Sequence, residues 1–196
     1  CPRMVQRSPG SVAGRSDRET ARVSARVSVL MGVRNTPWLR GALESLRWQT
    51  YRNFETIVVD DGSDDITRRC LEEARMAAAA VGLGTVVIRK ERSEGLTQGL
   101  IDAAEIASGE FLARLDADDT AGPERFARQV AFLDAHREVG VLGTWGAMMD
   151  EAGRPVGFLR PPADHEAIVE NLRSYNALAH SSVMMRRAVY DAVGGY

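Results

Sequence analysis

The chain has 196 residues, 44% of them hydrophobic and 27% charged, with a formal net charge of -2. Such a composition is ordinary for a globular protein and sufficient for one sizeable core. Near-neutral charge and scattered arginines give no electrostatic case for nucleic acid as a partner, and no apolar run approaches bilayer-spanning length. No charged-then-apolar signal segment opens the chain, so a cytoplasmic protein is expected, free or peripheral at the inner face of the membrane. Cys1 and Cys70 supply neither a disulfide framework nor a metal-binding spacing, and Cys70 reads as a buried thiol on a helix.

Residues 1–26, rich in Arg, Ser and Gly without an apolar period, read as a disordered tail. The absence of Met at position 1 leads to the expectation of a piece of a longer reading frame. Order is expected from Val27 to Val33, an almost continuous apolar run that suits a strand buried on both faces. Thr36 and Pro37 then read as the cap and first turn of a helix that turns Leu39, Ala42, Leu43 and Leu46 inward. A second strand, residues 54–59, runs into Asp60-Asp61-Gly62-Ser63-Asp64. The next helix places Ile66, Cys70, Leu71, Ala74 and Ala78 on one side and closes at Gly82 to Gly84.

A third strand is expected over residues 85–88, then a helix over 96–107, a short buried strand with Phe111, Leu112 and Leu115, and a helix over 123–135. Beyond Gly140 the pattern loosens: a strand at 141–145, a turn at Gly153-Arg154-Pro155, a short helix near 167–172, a strand at 182–187 and a final helical turn. Trp38, Trp48 and Trp145 read as packing groups, with Trp145 best placed to stack on a ligand. Strand and helix alternate as in an α/β fold whose mostly parallel central sheet has helices on both faces, a three-layer sandwich. No repeat or linker marks a second domain.

The acidic clusters fall at the carboxyl ends of the second and fourth strands, the edge where open sheets of this kind bind ligands. Asp116, Asp118 and Asp119 repel one another, so something positive is expected among them. Along an extended segment Asp116 and Asp118 point the same way across Ala117, a two-carboxylate grip on Mg²⁺ or Mn²⁺ with phosphate completing the shell. The structural alternative is a solvated acidic turn capping the helix near Pro123.

Four pieces stand together: Val27 to Asn35; Ile57-Val-Val-Asp-Asp-Gly-Ser63; Glu94-Gly-Leu-Thr97 followed by Ser108 to Asp119; and His180 to Arg187 with Gly194-Gly195-Tyr196. In this order and spacing they resemble a family 2 glycosyltransferase of the GT-A fold, over residues 27–196. The resemblance implies a nucleotide-diphosphate sugar as donor, a glycan, lipid-linked or other hydroxyl as acceptor, a divalent metal (Mn²⁺ or Mg²⁺), and transfer with inversion. It places Val33, Arg34, Asn35, Asp60, Asp61, Gly95, Asp116 and Ala117 against the donor and Asp116 and Asp118 on the metal, with either Asp60 or Asp61 contacting base and ribose. His180 matches a position that lines the acceptor side. The general base is expected beyond Tyr196, making the domain incomplete at its C-terminus. The family's Pro-Val-Tyr-Asn is here Gly32-Val33-Arg34-Asn35, so Arg34 takes the place of an aromatic platform, and Gln98 and Ile101 replace a basic residue and an Asn.

Two other readings compete. A phosphohydrolase of the haloacid dehalogenase type shares the Asp-x-Asp-x-Thr form of Asp116 to Thr120, but the chain's single lysine, Lys90, precedes the motif instead of following it. A domain that holds a nucleotide sugar without transferring it is the non-enzymatic alternative.

Overall fold

A computed structural model describes residues 25–196; of the tail expected over 1–26, residues 1–24, Cys1 included, lie outside the described residues. Ala25 and Arg26, assigned to that tail from sequence, belong to the fold. Ala25 is buried, and Arg26 binds Asp134 and Glu110 while its guanidinium lies 5.3 Å from the Phe111 ring centroid.

Six strands form the main sheet in the order β3-β2-β1-β4-β8-β5. Strands β1 (Val27–Val33), β2 (Phe54–Asp60), β3 (Gly84–Arg89) and β4 (Phe111–Arg114) are parallel, while β8 (Met184–Arg186) runs antiparallel to both β4 and β5 (Val141–Leu142). The apolar run of β1 is explained by its neighbours, since alternate residues serve opposite faces. Val27, Val29, Met31 and Val33 pack beneath α1 (Leu39–Arg47), α2 (Asp65–Ala79) and α4 (Arg125–Ala135). Leu30 joins Ile57, Val59 and Leu112 beneath α3 (Leu96–Ile106), through Leu100, Ala103 and Ala104. Helices on both faces make the expected three layers.

Several local expectations change. Helix α1 begins at Leu39, and the Thr36 hydroxyl accepts from the Trp38 N–H at 3.3 Å in the preceding turn instead of capping the helix. Ile66 faces water at 73% exposure, because α2 turns Thr67, Leu71 and Ala78 inward, and Cys70 is half-buried. All three tryptophans are exposed. The loosely patterned region contains a hairpin that the sequence reading missed, β6 (Gly146–Met149) with β7 (Pro155–Leu159), followed by α5 (His165–Leu172), a single 3₁₀ turn (His180–Ser182), β8 and α6 (Arg187–Ala192). Among the described residues no helix is long and apolar enough to cross a membrane.

Candidate functional site

The chain runs outward from β1 through β2 to β3, then returns to place β4 on the other side of β1. The carboxyl ends of β1 and β4 therefore bound the switch-point crevice of the sheet. Arg34 and Asn35 leave β1 there, Asp60 and Asp61 end β2 beside them, and Asp116 follows β4. Asn35 adopts a left-handed backbone (φ 48°), a conformation its short polar side chain tolerates, and its Oδ1 accepts the Asp64 N–H at 2.8 Å. Asp64 in turn caps α2 by accepting the Thr67 N–H at 2.8 Å.

The two β2 carboxylates are held below the surface. Asp60 is fully buried; one oxygen accepts the Ser63 N–H at 2.9 Å, and the other makes no hydrogen bond and lies 3.4 Å from Arg68 Nε. Asp61, 7% exposed, braces the next loop: Ser93 Oγ (2.6 Å) and Gly95 N–H (3.1 Å) donate to one oxygen, Glu94 N–H (2.7 Å) to the other. Burial works to raise the Asp61 pKa, but these donors and the charge of Lys90 outweigh it and hold the group below the usual carboxylate value. Gly95 turns that loop at φ 92° into the start of α3, a conformation that favours glycine. Gly62 lets the Asp61 loop approach, since a Cβ there would meet the backbone of Arg92 and Ser93 at 3.0 Å. Arg34 donates to Ser93 Oγ at 3.2 Å, so Arg34, Ser93, Asp61 and Gly95 form one connected wall, with Val33 joined through its carbonyl to the Asp61 N–H at 2.9 Å.

The β4 carboxylates sit differently. Strand β4 ends at Arg114, and Ala117 and Asp118 form a turn closed by Asp119 N–H to the Asp116 carbonyl at 3.2 Å. Strand alternation therefore does not set the directions of Asp116 and Asp118; the turn does. Ala117 is buried beneath it, Asp116 half-buried and Asp118 exposed. The positive charge expected among the three aspartates is present in the protein itself. Arg114, 1% exposed, donates from one terminal nitrogen to Asp116 Oδ1 and from the other to the Leu30 carbonyl at 3.1 Å. Arg125 lies beneath as well, donating to the Arg114 carbonyl at 2.7 Å; burial, with the neighbouring charge of Arg114, brings its pKa down to about 10 against the pull of Asp119. It stays cationic at neutral pH.

The late segment reaches the same place. Ser181 Oγ accepts the Asp116 N–H at 2.9 Å. His180 is half-buried, and burial with the charge of Arg114 lowers its pKa against Asp116, leaving a neutral imidazole at neutral pH. Tyr196 folds back with its ring 6.3 Å from that of His180, and its hydroxyl pKa is raised by burial, with Arg114 and Asp116 also acting on it. Of the residues expected from sequence, Asp116, Asp118 and His180 share one end of the crevice and Val33, Arg34, Asp61 and Gly95 the other. Asn35 and Asp60 serve the loops between. Sequence reasoning missed Arg114, Arg125, Ser93, Ser181 and Tyr196. An arginine inside a strand otherwise read as buried was the available signal for Arg114, since an ion there needs a partner.

Among the described residues no group of three or more His, Cys, Asp or Glu side chains is gathered to hold a metal ion. The pair Asp116 and Asp118 nevertheless fits a hard cation that takes one or two carboxylates and completes its shell with phosphate and water. Asp118 is exposed and enters no ion pair among the described residues, and Asp116 keeps Oδ2 uncommitted.

The family described as "Glycosyl transferase family 2" matches residues 28–194. EpsE of Bacillus subtilis (strain 168) is 33% identical over 172 residues, covering 87% of this chain and 60% of that protein. The amylovoran biosynthesis glycosyltransferase AmsE of Erwinia amylovora is 30% identical over 161 residues, covering 81% and 58%. The chain spans about half the length of the curated relatives it matches. Among solved structures, S. aureus TarS 1-349 in complex with UDP-GlcNAc superposes with a TM-score of 0.64 at 25% identity, covering 86% of this chain and 47% of that one. The mannosyltransferase PcManGT from Pyrobaculum calidifontis, in complex with GDP-Man and Mn2+, gives 0.65 at 22% identity, covering 87% and 47%, a likeness of fold.

Proposed function

The chain belongs to glycosyl transferase family 2, and from that premise we propose that residues 27–196 are the donor-binding domain of an inverting glycosyltransferase. The donor is a nucleotide-diphosphate sugar and the acceptor a glycan, lipid-linked or other hydroxyl. The observation that carries this reading is the division of the switch-point crevice into a guanidinium wall at Arg34 and a carboxylate turn at Asp116 and Asp118. One end suits a planar base, the other a diphosphate with its cation.

In this reading Arg34 stacks on the base, since a guanidinium is planar, and Asp61 acts by fixing the loop at Gly95 against which base and ribose lie. Asp60, buried and accepting the Ser63 N–H, acts on the donor side through the turn that starts α2. Asp118 and Asp116, whose Oδ2 is uncommitted, would hold Mn²⁺ or Mg²⁺. When bound there, the ion stabilises negative charge on the departing diphosphate. The acceptor oxygen attacks the anomeric carbon from the face opposite the leaving group. The C–O bond to phosphate breaks as the new C–O bond forms, and the hydroxyl proton passes to a carboxylate base. By resemblance to the family, that base is a carboxylate in a motif that follows the Gly-Gly-Tyr stretch. His180, neutral and half-buried beside Asp116, lines the acceptor side without serving as that base.

Calorimetric titration with uridine and guanosine diphosphates, each with Mn²⁺ and with chelator, tests the reading on wild type and Asp118→Ala. Metal-dependent binding of one nucleotide is expected, weakened at least about tenfold in the variant, whose exposed site leaves folding intact. A folded wild-type chain that binds neither nucleotide under any condition sinks the assignment.

A further inference from the structure

The β6–β7 hairpin forms a two-stranded sheet of its own, bonded to no strand of the main sheet. Such a ribbon is marginal in water unless something packs on it. Its apolar side chains nonetheless face outward on both sides. Alternation puts Val156 and Phe158 on one face, and Gly157 and Leu159 on the other. Met148 lies over Gly157 on that second face, where an added Cβ would meet Met148 Cε at 2.6 Å. The four large side chains, Met148, Val156, Phe158 and Leu159, are all exposed. None carries a strong hydrogen-bonding group, so the surface suits hydrocarbon better than the hydroxyls of a glycan.

The base of the hairpin has a different chemistry. Leu159 pairs with Gly146, so Trp145 and Arg160 come next on the side toward the body of the domain. The Arg160 guanidinium lies 5.5 Å from the Trp145 ring centroid and 5.0 Å from that of Phe158, and among the described residues it enters no ion pair. Two rings hold it without neutralising it. Its N–H groups are left for an anion, and phosphate is a group that a guanidinium matches. This base also borders the crevice: Thr144 N–H donates to Ser182 Oγ at 2.9 Å, and the neighbouring Ser181 accepts the Asp116 N–H. At the far end Asp150 pairs with Arg154 and Glu151 is exposed, so the tip stays in water.

We propose that the hairpin is the binding surface for a lipid phosphate that carries the acceptor sugar. The order of chemistry along the surface is the order within such a molecule. The sugar hydroxyl reaches the His180 end of the crevice, the phosphate sits on Arg160, and the hydrocarbon lies along Phe158 and Val156. The inference rests on the proposed glycosyl transfer and narrows its acceptor to one class. The lipid phosphate is held and not broken; the bonds that form and break are those at the anomeric carbon of the donor.

The test is calorimetric titration of the full chain with farnesyl diphosphate, a soluble lipid diphosphate, in the presence of chelator, alongside inorganic pyrophosphate and farnesol. Farnesyl diphosphate should bind at least about tenfold more tightly than either part, because charge and hydrocarbon are read together. Arg160→Gln and Phe158→Ser, both at exposed positions, should each weaken it about tenfold, with far-ultraviolet circular dichroism as the folding control. Asp118→Ala should leave this binding unchanged; its loss there would put the probe in the crevice and overturn the proposal. Equally tight binding of pyrophosphate overturns it too, as does no binding of farnesyl diphosphate, and neither result needs a variant to fold. Sedimentation of the lipid-free chain supplies the remaining outcome. Self-association abolished by Phe158→Ser would mean that a second copy covers the hairpin, and the proposal fails. Nucleotide binding with Mn²⁺ is measured on the same chain, so a failed donor site and a failed lipid surface are told apart.

Discussion

The domain divides into two regions that hold their side chains by different means. From β1 to α4 nearly every residue of β1, β2 and β4 is buried, with Val27, Val29, Met31, Ile57 and Phe111 wholly so, while the edge strand β3 is only partly covered, and the crevice residues are fixed from below. From β5 onward, β8 is wedged between β4 and β5 with Met184 fully buried, but β6 lies entirely at the surface and α5 buries no residue. Trp145, Met148, Val156 and Phe158 all stand exposed. The carboxylate turn thus stands on a packed floor, while the groups that approach it from the late segment hang on short elements, His180 and Ser181 on a single 3₁₀ turn and Tyr196 on the end of α6. The lesson is that precision in the crevice comes from one region, and adaptability at its mouth from the other.

The largest effect should separate the two regions outright. Phe126 is fully buried, edge-on to Phe54 at 5.3 Å between ring centroids, so Phe126→Ala should cost about 3–5 kcal/mol in denaturant unfolding, transfer and cavity together. Phe158, 64% exposed on the hairpin, should lose no more than about 1 kcal/mol on the same change. Comparable losses at both positions would mean that the late region is built into the same cooperative core.

A smaller and pH-dependent contrast lies in two aspartates. Asp61 holds the loop at residues 93–95, and its folded pKa is lowered; burial opposes the shift, and the hydrogen bonds and Lys90 prevail. A carboxylate lowered on folding contributes stability that is full above the unfolded value of about 3.9 and is lost as pH falls through the folded one. Asp61→Asn should therefore cost about 1–3 kcal/mol near neutrality and flatten the acid limb of the melting temperature below about pH 4. Asp150, in the β6–β7 turn, is also lowered, chiefly by the Arg154 backbone N–H, and it titrates in the same direction. Its hydrogen bonds stay within the hairpin, so Asp150→Asn should leave the melting curve of the whole domain unchanged. An equal flattening in both variants would remove the distinction.

How far the sequence could be read follows the same division. Buried parallel strands must be apolar on both faces, and their helices must show a 3.6-residue period, so β1 to β4 and the inward residues of α1 and α4 were legible. The acidic strand ends were legible too, because carboxylates cluster where a cation is near. Which cation was not. Arg114 and Arg125 lie on a strand and a helix whose apolar neighbours mask them, and only the fold brings them under Asp116 and Asp119. The resemblance offers Asp60 or Asp61 as a donor contact; that Asp61 also braces residues more than thirty positions later is a long-range bond that no local pattern announces. The hairpin was missed because its apolar residues face water and give no core-facing alternation.

The smallest expected effect sharpens the comparison within the late region itself. With little beneath it, the hairpin is held at its base by Arg160, whose guanidinium lies 5.5 Å from the Trp145 ring centroid and 5.0 Å from that of Phe158, while the Trp145 indole N–H donates to the Pro161 carbonyl at 3.1 Å. Exposed cation–π contacts are worth about 0.5–1 kcal/mol, so Arg160→Ala should speed amide exchange in β6 and β7 by about two- to fivefold. Exchange in β1 and β2 should stay unchanged, because their hydrogen bonds open only with the core. Slowed or unaltered hairpin exchange would show that the guanidinium does not support these strands. Acceleration reaching β1 would show that the hairpin is coupled to the floor of the crevice, which the burial pattern denies.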